Sequence, residues 1–81
     1  MEYKILVGKD SITLAQLREL RGFNQNEVGR RMGVSQPAVS KLEHRENPKM
    51  SSVRRFVEAL GGTLKAGMRD KQGMLHPIKL G

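Results

Sequence analysis

Gln36 and Lys41 are side chains able to read a nucleic-acid base edge. A glutamine amide offers a donor and an acceptor in one plane, matching adenine N6 and N7, and a lysine ammonium can reach guanine O6 and N7. Each good pairing of this kind discriminates by about 1–3 kcal/mol. Around them stand groups suited to phosphate, where contacts set register rather than sequence: Gln25 with its backbone amide at a helix start, the hydroxyls of Ser35 and Ser40, and the basic Arg45 and Lys49. Each also has a plainer reading. Gln36 can be an ordinary polar residue in a first helical turn, and a surface arginine or lysine is usually only solvated.

No catalytic set competes with them. Ser35, Ser40, Ser51 and Ser52 read as helix caps or contact residues, and neither His44 nor His76 has a carboxylate at a compelling spacing. His76 is the only possible histidine partner for His44, so no metal site is expected, and Gly61-Gly62 is too short for a phosphate loop. The expectation is a binding protein with no cofactor.

The elements that must position these groups lie between Asn24 and His44, NQNEVGRRMGVSQPAVSKLEH. Asn24 with Glu27 makes a capping box for one short helix, Gly33-Val34 makes a tight turn, and Ser35 caps a second. Helices joined this tightly cross steeply, so that the second projects an outer face able to enter a DNA major groove. In the second helix Ala38, Val39 and Leu42 share a buried stripe, and Gln36, Ser40 and His44 recur every four residues on another face. In the first, Val28 and Met32 point inward, leaving Gln25, Arg30 and Arg31 for solvent or phosphate. Gly29 costs about 1 kcal/mol relative to alanine inside that helix, a cost that a close approach of the next helix would justify.

Before this unit, Tyr3, Ile5 and Val7 alternate with Glu2, Lys4 and Leu6, giving a short strand, an ordered arm or a frayed terminus over residues 1–12. Thr13 and Gln16 form a capping box for a first helix, in which Leu14, Leu17 and Leu20 or Arg21 follow until Gly22 stops it, and Phe23 plugs the turn. After His44 a polar turn runs to Pro48 and Lys49. Ser51 or Ser52 then starts a fourth helix with a stripe of Val53, Phe56, Val57 and Leu60, ended by Gly61-Gly62.

The period then drops to two. Leu64, Ala66 and Met68 share one face, Asp70 to Gly73 has turn composition, and Met74 to Leu80 resumes as a second strand in which Pro77 marks an edge. An isolated hairpin is marginal in water, so it must pack on the helices or pair with a second copy. Pairing is preferred because the helical core is already complete, and Leu64, Ala66, Met68, Leu75 and Ile78 are the dimerisation candidates.

The chain's 81 residues allow one small domain, which disfavours an enzyme. Its net charge of +7, with a pI near 10.4, suits an anionic polymer. It has no cysteine, which excludes disulfides and thiolate chemistry and leaves packing or self-association to stabilise the fold. No apolar run approaches the roughly 20 residues that span a bilayer. The start has too short an apolar core for a secretory signal, so a cytoplasmic protein is expected.

The stretches LAQLRELRGFNQNEV, GVSQPAVSKLE and SSVRRFVEALG, in this order and spacing, resemble the Xre/Cro/phage-repressor family of helix-turn-helix proteins from about Leu14 to Gly61. The resemblance implies a mainly α, lambda-repressor-like bundle of about four helices over residues 13–61, with the hairpin of residues 62–81 able to pair across a dimer. It implies that Gln25 contacts phosphate, that Gln36, Pro37 and Lys41 read base edges, and that Arg18 and Glu43 form a structural ion pair. Pro37 departs from the pattern, since it leaves only apolar contact, such as with a thymine methyl.

A hairpin where the family has a fifth helix resembles the HipB-like and HigA-like antitoxins of toxin–antitoxin operons. The implied function is a sequence-specific repressor that autoregulates its operon as a homodimer on a pseudo-palindromic site, with a cognate toxin as a further partner. The competing reading is a protein-interaction module that binds DNA non-specifically. An RNA partner is less suited to a chain with one tyrosine and two phenylalanines.

Overall fold

The computed structural model describes residues 12–79, so the arm or strand expected at Glu2 to Val7 lies outside the described residues. Four helices, α1 (Leu14–Leu20), α2 (Gln25–Met32), α3 (Gln36–His44) and α4 (Met50–Ala59), are followed by a hairpin of β1 (Ala66–Arg69) and β2 (Leu75–Ile78).

Local hydrogen bonding explains where the first three helices begin. Thr13 and Gln16 exchange side-chain and backbone bonds at the start of α1, Asn24 and Glu27 do so at α2, and the Ser35 hydroxyl accepts from the Ala38 amide at α3. Gly33 ends α2 at φ 73°, in the left-handed region that glycine reaches at no steric cost.

The fourth helix starts earlier than expected. Lys49 is its N-cap and Met50 its first residue, so Ser51 and Ser52 lie inside the first turn. The Lys49 carbonyl already accepts from the Ser52 and Val53 amides, and Met50, three residues before Val53, extends the apolar stripe. Packing therefore sets this start without a side-chain cap.

Val28, Val39, Leu42, Phe56, Ala59 and Leu60 form the core, with Leu14, Leu17, Phe23, Met32 and Val34 packed against it. Gly29 lets the chain close on itself here. A Cβ at this position would stand 2.8 Å from the Val34 carbonyl oxygen, so the neighbour that needs the space is the turn leading into α3. Two expected inward residues face solvent instead. Leu20 is 74% exposed at the end of α1, and Ala38 is exposed because Val39 and Leu42 are the α3 side chains that enter the apolar core.

In the antiparallel hairpin Ala66 pairs with Ile78, Gly67 with Pro77, Met68 with His76 and Arg69 with Leu75. Both strands are shorter than the sequence pattern suggests. Strand alternation puts Ala66, Met68, His76 and Ile78 on one face and Gly67, Arg69, Leu75 and Pro77 on the other. The dimerisation candidates therefore do not share a face. Ala66 is buried within the chain, Leu64, Met68 and Ile78 are half-buried, and Leu75, on the opposite face over Gly67, is 61% exposed.

Candidate nucleic-acid interface

The outer face of α3 is held in place by a chain of side-chain bonds that begins on α1. Arg18 Nε donates to Glu43 Oε2 at 2.6 Å and its Nη2 to Glu43 Oε1 at 3.3 Å, while its Nη1 donates to the Phe23 carbonyl at 3.0 Å. Only 13% of the Arg18 side chain and 2% of the Glu43 side chain are exposed. The hydrogen bond that Arg18 donates to Glu43, outweighing the cost of burial, holds the guanidinium's pKa above its ordinary value. The pair is bidentate, and it ties α1 to the C-terminal half of α3.

The same carboxylate reaches α2. Gln25 Nε2 donates to Glu43 Oε1 at 2.9 Å, and Gln25 Oε1 accepts in turn from Gln36 Nε2. Four side chains from three helices thus end at the amide of Gln36, the first residue of α3. One Gln36 N–H is committed to Gln25, and among the described residues its second N–H and its carbonyl oxygen are left for a further partner. Gln25 and Gln36 are half-buried, while Pro37, Ala38, Lys41 and His44 are exposed along the outer face.

The remaining phosphate candidates have mixed surroundings. The Ser35 hydroxyl caps α3, Ser40 is half-buried, and Arg45 and Lys49 are exposed in the connection to α4. His44 Nδ1 lies 2.7 Å from the Ser40 carbonyl oxygen, which is a local helix contact. Among the described residues no cluster of histidine, aspartate or glutamate is placed to hold a metal ion, and no helix is long and apolar enough to cross a membrane.

Arg31, expected to be left for solvent or phosphate, is engaged with the fold, and so are Arg21 and Arg55. Arg31 donates to the Ala59 carbonyl at 3.1 Å and lies 4.4 Å over the Phe23 ring, Arg21 donates to the Leu60 carbonyl, and Arg55 donates to the Met32 carbonyl. Each satisfies a carbonyl that a helix end leaves without an intrahelical partner. Beside α3, an open groove of about 220 Å³ is lined by apolar residues that include Met32, Val34 and Ala38 and by the basic Lys41, Arg45 and Arg55.

Two crossed short helices, the second presented outward with a fixed amide and a free ammonium, define a helix-turn-helix protein. The family model described as helix-turn-helix matches residues 14–66, and the chain belongs to this family, in its Xre/Cro-like form. It is similar to a solved structure described as DNA-bound antitoxin HigA3, at 30% identity and a TM-score of 0.77 over 86% of this chain and 92% of the other. A second, described as induced DNA bending by unique dimerization of HigA antitoxin, is 28% identical with a TM-score of 0.78, over 91% of this chain and all of the other. No curated protein sequence matches.

Proposed function

We propose that this chain is a sequence-specific DNA-binding repressor and the antitoxin of a toxin–antitoxin operon, acting on double-stranded DNA in the cytoplasm. The observation that carries the reading is the Arg18–Glu43–Gln25–Gln36 chain. It removes rotamer freedom from the first residue of α3 before any ligand arrives, which is what base reading by a single amide requires. Gln36, Pro37 and Lys41 would then meet base edges, while Gln25, Ser35, Ser40, Arg45 and Lys49 would meet the phosphates that set register.

A dimer of such chains would place two copies of α3 about 34 Å apart, on half-sites one helical turn apart in a pseudo-palindromic operator. Likeness to HigA antitoxins, one bound to DNA and one dimerized, supports the same assembly here, and the reading extends to autoregulation with a cognate toxin as partner. Binding of wild type and Lys41→Ala to a panel of operator variants tests this. A loss concentrated at one base pair of each half-site is expected. A uniform loss across all duplexes would reduce Lys41 to a phosphate contact and contradict direct reading.

A further inference from the structure

Ala38 precedes the buried Leu42 by four residues, yet it is exposed. With the exposed Pro37 it occupies the first turn of α3 between Gln36 and Lys41, so the outer surface of that turn is a pyrrolidine ring and a methyl group. Neither side chain has a donor or an acceptor. Proline has no amide N–H, and the Ala38 amide is already bound to the Ser35 hydroxyl at 3.3 Å. This step of the helix therefore cannot form a hydrogen bond to a base edge and gains only by burying apolar surface. The apolar surface also continues sideways, because Ala38 lines the groove whose wall includes Met32 and Val34.

The apolar feature that a base edge presents in the major groove is the 5-methyl group of a pyrimidine. We propose that Pro37 and Ala38 form a specificity contact for a 5-methylpyrimidine, placed beside the bases that face Gln36 and Lys41. The proposal rests on the reading of α3 as the base-reading helix. Thymine and 5-methylcytosine carry the same methyl group at the same place, so both satisfy the contact, and cytosine and uracil do not. Where an operator has cytosine at this step, binding becomes sensitive to its methylation.

The test uses duplexes enriched by the wild-type chain from a random pool, with each thymine replaced in turn by deoxyuridine, which removes only the methyl. The expected result is a loss of about fourfold at one thymine of each half-site, the worth of one methyl-sized group taken out of water. At that position a 5-methylcytosine·guanine pair binds better than a cytosine·guanine pair by a similar factor. In Ala38→Ser and Pro37→Ala, both at exposed positions, the deoxyuridine loss there falls below about twofold, with other positions unchanged. Tolerance of deoxyuridine throughout, or a methyl effect that persists in both variants, overturns the assignment and leaves reading by Gln36 and Lys41 standing. Failure to enrich any sequence over random duplex overturns base reading itself, and the methyl contact with it.

Discussion

Both carboxylate oxygens of Glu43 are occupied, one by Arg18 Nε and the other shared between Arg18 Nη2 and Gln25. A carboxylate this deeply buried depends on its cation. Removing one partner of such a pair costs about 3–5 kcal/mol, because the remaining charge is left without compensation. Arg18→Ala is therefore expected to lower the unfolding free energy by about that amount in urea denaturation. A change below about 1 kcal/mol, the range of exposed pairs, would show that water takes over the arginine's role. At this scale the sequence was only partly legible. Arg18 and Glu43 are 25 positions apart and no local spacing joins them, so the pair came from family resemblance. The Gln25–Gln36 bond went unread, because an amide's residue type carries no sign of its partner across 11 positions. Arg21, Arg31 and Arg55 were equally opaque, since whether a guanidinium finds a helix-end carbonyl is decided by tertiary packing.

At the scale of the elements the sequence was far more legible, because caps and turns are local chemistry. The capping boxes at Thr13 and Asn24, the Ser35 cap and the Gly33 turn stand where their residue types place them. Leu20 and Ala38 were misassigned because helical period fixes an angle around the axis and cannot say where along the axis the neighbouring helix stops. Gly29 offers a clean test. Gly29→Ala gains about 1 kcal/mol in helix propensity, but its Cβ would meet the backbone carbonyl of Val34, and overpacking of this kind costs about 1–3 kcal/mol. A lowered Tm is expected, since the atom that must yield closes the turn into α3; a raised Tm would show that the turn can relax.

The hairpin has its own test. The Asp70 carboxylate lies 2.7 Å from His76 Nε2 and accepts from the Gln72 and Met74 amides, and first the histidine contact and then these amides hold its pKa below the ordinary value. A carboxylate depressed on folding contributes stability that is present above its unfolded value of about 3.9 and is lost as pH falls through the lower folded value. An NMR titration is therefore expected to place the Asp70 midpoint below that of an unstructured aspartate, with the Gln72 and Met74 amide signals moving together with it. A midpoint at or above the ordinary value would mean that the turn is open in solution.

For the whole molecule, the net charge of +7 is spread over the helices and the hairpin. Arg18 is neutralised within the fold by Glu43, while Arg21, Arg31 and Arg55 are held by backbone carbonyls and keep their charge; Lys41, Arg45 and Lys49 are exposed on α3 and its connection to α4, and Arg55 lines the groove beside α3. A hairpin of two four-residue strands with Leu75 exposed is a weak unit by itself, and we propose that a second copy pairs with it. Leu75→Glu is expected to shift sedimentation toward the monomer and to weaken operator binding, because each half-site would then be bound separately; an unchanged dimer would move the interface away from this face.

The most direct measurement is the affinity of wild type and Gln36→Ala for the DNA upstream of the chain's own gene and for random duplex, at two salt concentrations. Selective binding by wild type, reduced by Gln36→Ala about 5- to 150-fold on the upstream DNA and little on random duplex, is the predicted result for loss of one bidentate base contact. Equal, salt-sensitive binding to both duplexes that the substitution leaves unchanged would mean that the protein meets only phosphate, and would contradict the account.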